Sequence, residues 1–173
     1  MDAQRGERLP AAHGAPARLL VPGRYGMKNL KWLREIAFVD SHHVSWWTTH
    51  GGWSEAAPYR PNAMIASPRE GQEIAAGEDV LFLGTAYAGR DPVEKVEVSL
   101  DGGPWKEAQL DYHTGLPDIW VLWSFAWTAE EGDHSLQARC TTASGAQSVL
   151  DPAGTDRKQG YDGSMVITLT VKA

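Results

Sequence analysis

Residues 93–100, Val-Glu-Lys-Val-Glu-Val-Ser-Leu, alternate apolar and polar side chains and run directly into Asp101-Gly102-Gly103. Alternation with period two marks a strand buried on one face, and Asp-Gly allows the positive backbone φ angles of a tight hairpin. The pattern puts Val96, Val98 and Leu100 on one face and Glu97 and Ser99 on the other. The same pattern recurs downstream. Strands are predicted over 62–67, 79–87, 93–100, 105–110, 119–127, 132–142 and 165–171, with turn residues between them and a polar excursion over 143–163. The run 79–87 is apolar on both faces. Seven short strands in about 110 residues have the size of an immunoglobulin-like β-sandwich.

The strand over 119–127 is heavily aromatic. Trp123, Phe125 and Trp127 share a face at period two, and Trp120 points the other way. One face fills the core. The other is either an interface or covered from within the chain. The single cysteine, Cys140, excludes an intramolecular disulfide. It alternates in phase with Leu136 and Ala138, which reads as a buried core thiol.

The N-terminal part follows different rules. Residues 13–32 read HGAPARLLVPGRYGMKNLKW. Leu19-Leu20-Val21 is strand-like, and Pro16, Pro22, Gly23 and Gly26 make its flanks loops. His13, Arg18, Arg24, Lys28 and Lys31 on these loops form a cationic cradle suited to a phosphate or another compact anion. His13 or Arg18 taken alone reads as a capping or solvated group, whereas the whole constellation reads as a binding site. Arg24 and Lys28 are expected in solvent. Residues 31–40 alternate loosely and are expected as a strand. Residues 41–61 read as an aromatic linker packed against a domain through Trp46, Trp47, Trp53 and Tyr59. The histidines 42, 43 and 50 lack the partners of a closed zinc site and read as a polar turn, so no metal ligand is assigned.

His13-Gly14-x-Pro16-x-Arg18, then Pro22-Gly23, Gly26 and Lys31-Trp32, resemble the molybdopterin-binding segment of the sulfite oxidase family of molybdenum enzymes. Trp47 and Gly52-Trp53-Ser54 resemble its domain junction. Val96-Glu97-Val98-Ser99-Leu100-Asp101-Gly102-Gly103 resembles its dimerisation domain. The resemblance implies a mostly β chain. Residues 62–173 would be an immunoglobulin-like dimerisation domain. Residues 1–40 would be a C-terminal fragment of an α+β molybdopterin-binding domain, with 41–61 as linker.

It also implies that His13, Arg18, Asn29, Leu30 and Lys31 bind molybdopterin, Leu30 through its backbone and Lys31 through its ammonium. Arg90 would help bind a small oxyanion such as sulfite, although pairing of Arg90 with Asp91 or Glu94 reads equally well. The family's molybdenum-ligating cysteine lies upstream of the His-Gly-x-Pro-x-Arg segment, and Cys140 does not replace it. The expectation is therefore the C-terminal portion of such an oxidoreductase, homodimeric, inactive alone, and holding cofactor only together with an upstream domain. The alternative is a non-catalytic immunoglobulin-like module whose exposed tryptophans bind carbohydrate or a protein.

A net charge of -6 argues against nucleic acid as a partner. No apolar run reaches membrane-spanning length, and the first ten residues lack a signal-peptide core. The chain as written reads as cytoplasmic, or periplasmic if an export signal stands upstream. Asp111, His113 and Asp118 read as a polar hairpin loop rather than a catalytic cluster.

Overall fold

The structure is a computed structural model that describes residues 8–41, 43–148 and 163–173. The chain divides into two compact units, one running to Pro58 and the other starting at Tyr59.

The second unit is built from β1 (Asn62–Ser67), β2 (Glu73–Ala75), β3 (Asp79–Tyr87), β4 (Val93–Leu100), β5 (Lys106–Glu107), β6 (Gln109–Tyr112), β7 (Val121–Thr128), β8 (Gly132–Thr142), β9 (Gly163–Ser164) and β10 (Val166–Lys172). They form two five-stranded sheets, ordered β6-β7-β3-β1-β9 and β2-β10-β8-β4-β5. The expected sandwich is therefore present. Its core joins Ala63, Ile65, Phe82, Val121 and Trp123 of the first sheet to Val96, Val98, Leu136, Cys140, Ile167 and Leu169 of the second. Cys140 is fully buried, with its thiol 3.3 Å from the carbonyl oxygen of Asn62.

Asp101 and Gly102 both adopt positive φ, 52° and 67°, and the Gly103 N–H donates to the Leu100 carbonyl at 2.8 Å. Two consecutive positive φ values are what the Asp-Gly pair supplies. Val93 and Val96 both face the core although three positions apart, because the register of β4 against β8 shifts between Val93 and Lys95. A bulge of this kind changes the phase of a strand by one residue.

Several expectations need correction. The run 79–87 is not buried on both faces: Val80, Phe82, Gly84 and Ala86 point inward while Leu81 and Leu83 are exposed. The run 105–110 is not one strand. Lys106–Glu107 pairs with β4 in one sheet and Gln109–Tyr112 with β7 in the other. The buried Ala108, whose N–H donates to the Val96 carbonyl, lies at the crossing. The three-residue β2, parallel to β10, is too short for periodicity to reveal. Most of the excursion over 143–163 lies outside the described residues.

The first unit has little regular structure: single 3-10 turns at Ala11–His13 and Gly26–Lys28, and α1 (Trp46–Thr49). The strand expected over 31–40 does not form. A strand needs a neighbour for its N–H and C=O groups, and no described residue forms a ladder with this segment. Ile36, Phe38 and Val39 are exposed.

Candidate functional site

The cationic cradle is two limbs lying side by side. The first limb starts in the turn Ala11–His13. Gly14 follows with φ +111°, then the Ala15–Pro16 peptide, which is cis. The second limb is residues 29–33. Leu19 N–H donates to Leu30 O at 2.9 Å, Leu33 N–H to Ala17 O at 2.9 Å and Trp32 N–H to Gly14 O at 3.1 Å. Glycine is required at 14 for two reasons: its φ is left-handed, and a Cβ there would come within 3.1 Å of the Lys31 side chain. Leu19-Leu20-Val21, strand-like in sequence, belongs to no strand.

These contacts settle which groups are used internally. Asn29 Oδ1 accepts the Val21 N–H at 2.6 Å, so this side chain shapes the loop. Lys31 Nζ donates to Ala12 O at 3.2 Å and lies 5.7 Å from the centroid of the Trp32 ring. The Trp32 indole N–H donates to Ala11 O at 2.8 Å, with Trp32 itself at φ 57°. Residues 31 and 32 thus clasp the turn that carries His13. By contrast, the exposed His13 ring and the Arg18 guanidinium have no partner among the described residues. The same holds for the N–H of Leu30, whose carbonyl alone is engaged. A planar guanidinium, an imidazole and an uncommitted backbone N–H are the donor set for a phosphate-bearing ligand.

Lys28 is not in solvent as expected. Its ammonium meets Glu55 Oε1 at 3.3 Å, and Glu55 Oε2 also accepts from the Thr48 hydroxyl at 2.9 Å and the Ser45 N–H at 3.4 Å. The Thr48 and Ser45 hydrogen bonds, then Lys28, hold the Glu55 carboxyl below its ordinary pKa. Tyr25 N–H donates to Ala57 O at 3.1 Å, and its ring meets Trp53 edge-on at 5.2 Å. Sequence reasoning missed Glu55 and the Trp32 indole contact. Neither has a local signal, because 27 residues separate Lys28 from Glu55 and 21 separate Trp32 from Ala11.

The other assigned residue, Arg90, belongs to the second unit. It is 72% exposed and pairs at 3.5 Å with Asp118, not with Asp91 or Glu94. Asp91 is bound instead by Ser144. Asp118 also faces the Tyr87 hydroxyl, and burial with the Asp118 charge pushes the Tyr87 pKa up to about 12. Asp111 and His113 have partners of their own, Ser124 and the Val93 carbonyl. No group of acidic, histidine or cysteine side chains suited to a metal ion occurs among the described residues.

Comparison with known proteins places the segment that carries these donors in a known family of domains. The family profile of the oxidoreductase molybdopterin binding domain matches residues 3–47, and that of a bacterial Ig domain matches residues 61–138. Mitochondrial sulfite oxidase of Homo sapiens is 30% identical over 156 residues, covering 78% of this chain and 28% of that protein. The chain belongs to the sulfite oxidase family of molybdopterin oxidoreductases.

The nitrate reductase [NADPH] of Phytophthora infestans is 34% identical over 149 residues, 68% of this chain and 16% of that protein. Among solved structures, the sulfane dehydrogenase SoxCD of Paracoccus pantotrophus superposes with a TM-score of 0.75 at 25% identity, over 95% of this chain and 46% of that one. The chain thus spans less than a third of these curated relatives' length.

Proposed function

We propose that this chain anchors the pterin end of a molybdenum cofactor and provides the dimer face of a sulfite oxidase-like enzyme. The observation carrying this reading is that His13, Arg18 and the Leu30 N–H make no hydrogen bond among the described residues, within a frame tied together by Asn29 Oδ1, Lys31 and Trp32. His13 and Arg18 would hold the phosphate-bearing part of the cofactor, and the Leu30 N–H would donate to it. When bound, the molybdenum centre supplies oxygen-atom transfer coupled to a two-electron change. Arg90, pre-set by Asp118, would bind a small oxyanion such as sulfite.

Cys140 cannot serve as the metal's thiolate, because it is fully buried in the sandwich. We therefore infer that full cofactor loading and sulfite oxidation need residues beyond these 173 and, departing from the expectation of cofactor binding only with an upstream domain, that the uncommitted donors let the chain itself retain a fraction of the pterin. Homodimerisation is supported by Met64, Leu81, Leu83 and Leu122, which are exposed on the outer face of the β1–β3–β7 sheet. A carbohydrate-binding sandwich is less well supported: Trp123 is buried, and Trp105 lies under the Arg139 guanidinium.

The test is to produce the chain in cells that make the cofactor and measure the fluorescent pterin released on oxidation. Retained pterin, less than one per chain and removed by Arg18→Glu, is the expected result, with no sulfite oxidation. Equal pterin in wild type and Arg18→Glu would sink the reading.

A further inference from the structure

The loop that presents Leu30 has no core beneath it. Among the described residues of the first unit only Gly14, Gly23 and Ala57 are buried. Something other than apolar packing must hold residues 24–31 in one shape. Contacts that link this loop to residues 45–58 include the Arg24–Pro58 backbone bridge, the Tyr25 N–H to the Ala57 carbonyl, the Tyr25 ring to Trp53, and Lys28 to Glu55.

The Glu55 contact is where these meet the segment that carries α1. Its two oxygens receive an ammonium, a hydroxyl and a backbone N–H from three different residues, Lys28, Thr48 and Ser45. A carboxylate is suited to this because it accepts several donors at once, and charge-assisted bonds are stronger than neutral ones. The next residue after Lys28 is Asn29, whose side chain bonds the first limb at Val21. Glu55 is thus linked, through Lys28 and Asn29, to the geometry around the uncommitted Leu30 N–H.

We propose that Glu55 is a positioning residue for pterin binding: it holds the 24–31 loop in its ligand-facing shape before the cofactor arrives. This rests on the reading that the loop faces the pterin. A preformed loop binds more tightly because less ordering remains to be done on association. Glu55 touches no ligand and acts only through Lys28.

The experiment uses the full chain made in cofactor-producing cells, comparing wild type, Glu55→Gln, Lys28→Met and the double variant, with Arg18→Glu as the background. Glu55→Gln keeps the side chain's length and removes its charge. Retained pterin should fall by up to about fivefold in each single variant, the scale of one exposed charge-assisted contact. The double variant should fall no further than either single one, since both remove the same link. Amide exchange at Leu19 and Val21 should quicken in Glu55→Gln, while exchange at Val96 and Ile167 stays unchanged and shows that the sandwich is intact.

Wild type with no more pterin than Arg18→Glu would overturn the cofactor reading and this proposal with it. Wild type that retains pterin, with Glu55→Gln retaining as much, would overturn the positioning role alone. Additive losses in the double variant would do the same, because Glu55 would then not be acting through Lys28.

Discussion

Trp123 packs directly against Gly84, its register partner on the neighbouring strand. A Cβ added at Gly84 would overlap Cζ2 and Cε2 of the indole and the carbonyl oxygen of Met64. Trp123 is only 1% exposed, and β3 is paired on both sides, so neither partner has room to give. Gly84→Ala is therefore expected to cost about 3 kcal/mol or more, as severe overpacking does. The midpoint of urea unfolding reads it, and a shift worth less than about 1 kcal/mol would contradict the packing described.

His134 and Asp101 give the sandwich a defined pH dependence. The ring nitrogens of His134 face Asp101 Oδ2 at 2.8 Å and the Glu130 carbonyl at 2.9 Å. Both partners accept, so both bonds form only when the ring is doubly protonated. The Asp101 hydrogen bond is the main reason the His134 pKa lies above its ordinary 6.5. For Asp101, burial pushes the carboxyl up, but the bonds from His134 and the Ser135 N–H outweigh it and leave it below 3.8.

The signs follow from linkage. The histidine contribution is complete below about pH 6.5 and fades as pH rises through the raised folded value. The aspartate contribution is complete above about pH 4 and fades as pH falls through the lowered one. Asp101→Asn should flatten both slopes in thermal melts, and unchanged slopes would show that the pair does not titrate as described. Because Asp101 is part-exposed, the effect should stay within about 1 kcal/mol.

The outer face of the first sheet predicts the assembly. Met64 and Leu122 sit in one cross-strand row through Thr85, with Leu83 two residues from Thr85 along β3. Leu83→Glu should turn a dimer into a folded monomer, because a charge there would lose water on association. Sedimentation velocity distinguishes the two, and a monomeric wild type at tens of micromolar (~50 µM) would remove this face as a homodimer contact.

At the cradle, Trp32→Phe keeps the ring and deletes the N–H that bonds the Ala11 carbonyl. The loss of that bond is expected to loosen the His13 turn by about 1 kcal/mol and to lower retained pterin about fivefold. Pterin content equal to wild type would show that the clasp does not set the position of His13.

Much of the sandwich was legible because its evidence is local. Val96 and Val98 alternate with Glu97, and Asp101-Gly102 can turn, before any long-range contact forms. The phase of Cys140 with Leu136 and Ala138 placed its thiol in the core for the same reason. The expected strand over 31–40 failed because alternation states a preference, and only a neighbouring strand supplies the missing hydrogen bonds.

The cradle divides along the same line. Its sequence determined which donors are available, His13 and Arg18 among them, and that Pro16, Pro22, Gly23 and Gly26 interrupt regular structure on either side of Leu19-Leu20-Val21. Only the tertiary structure decided which groups are engaged with one another. Lys31 and Trp32 reach back to the 11–13 turn, Asn29 closes on Val21 and Lys28 finds Glu55, while His13 and Arg18 stay uncommitted. These pairings join residues from 8 to 27 positions apart, so they depend on how the limbs meet in space and leave no periodic trace in the sequence.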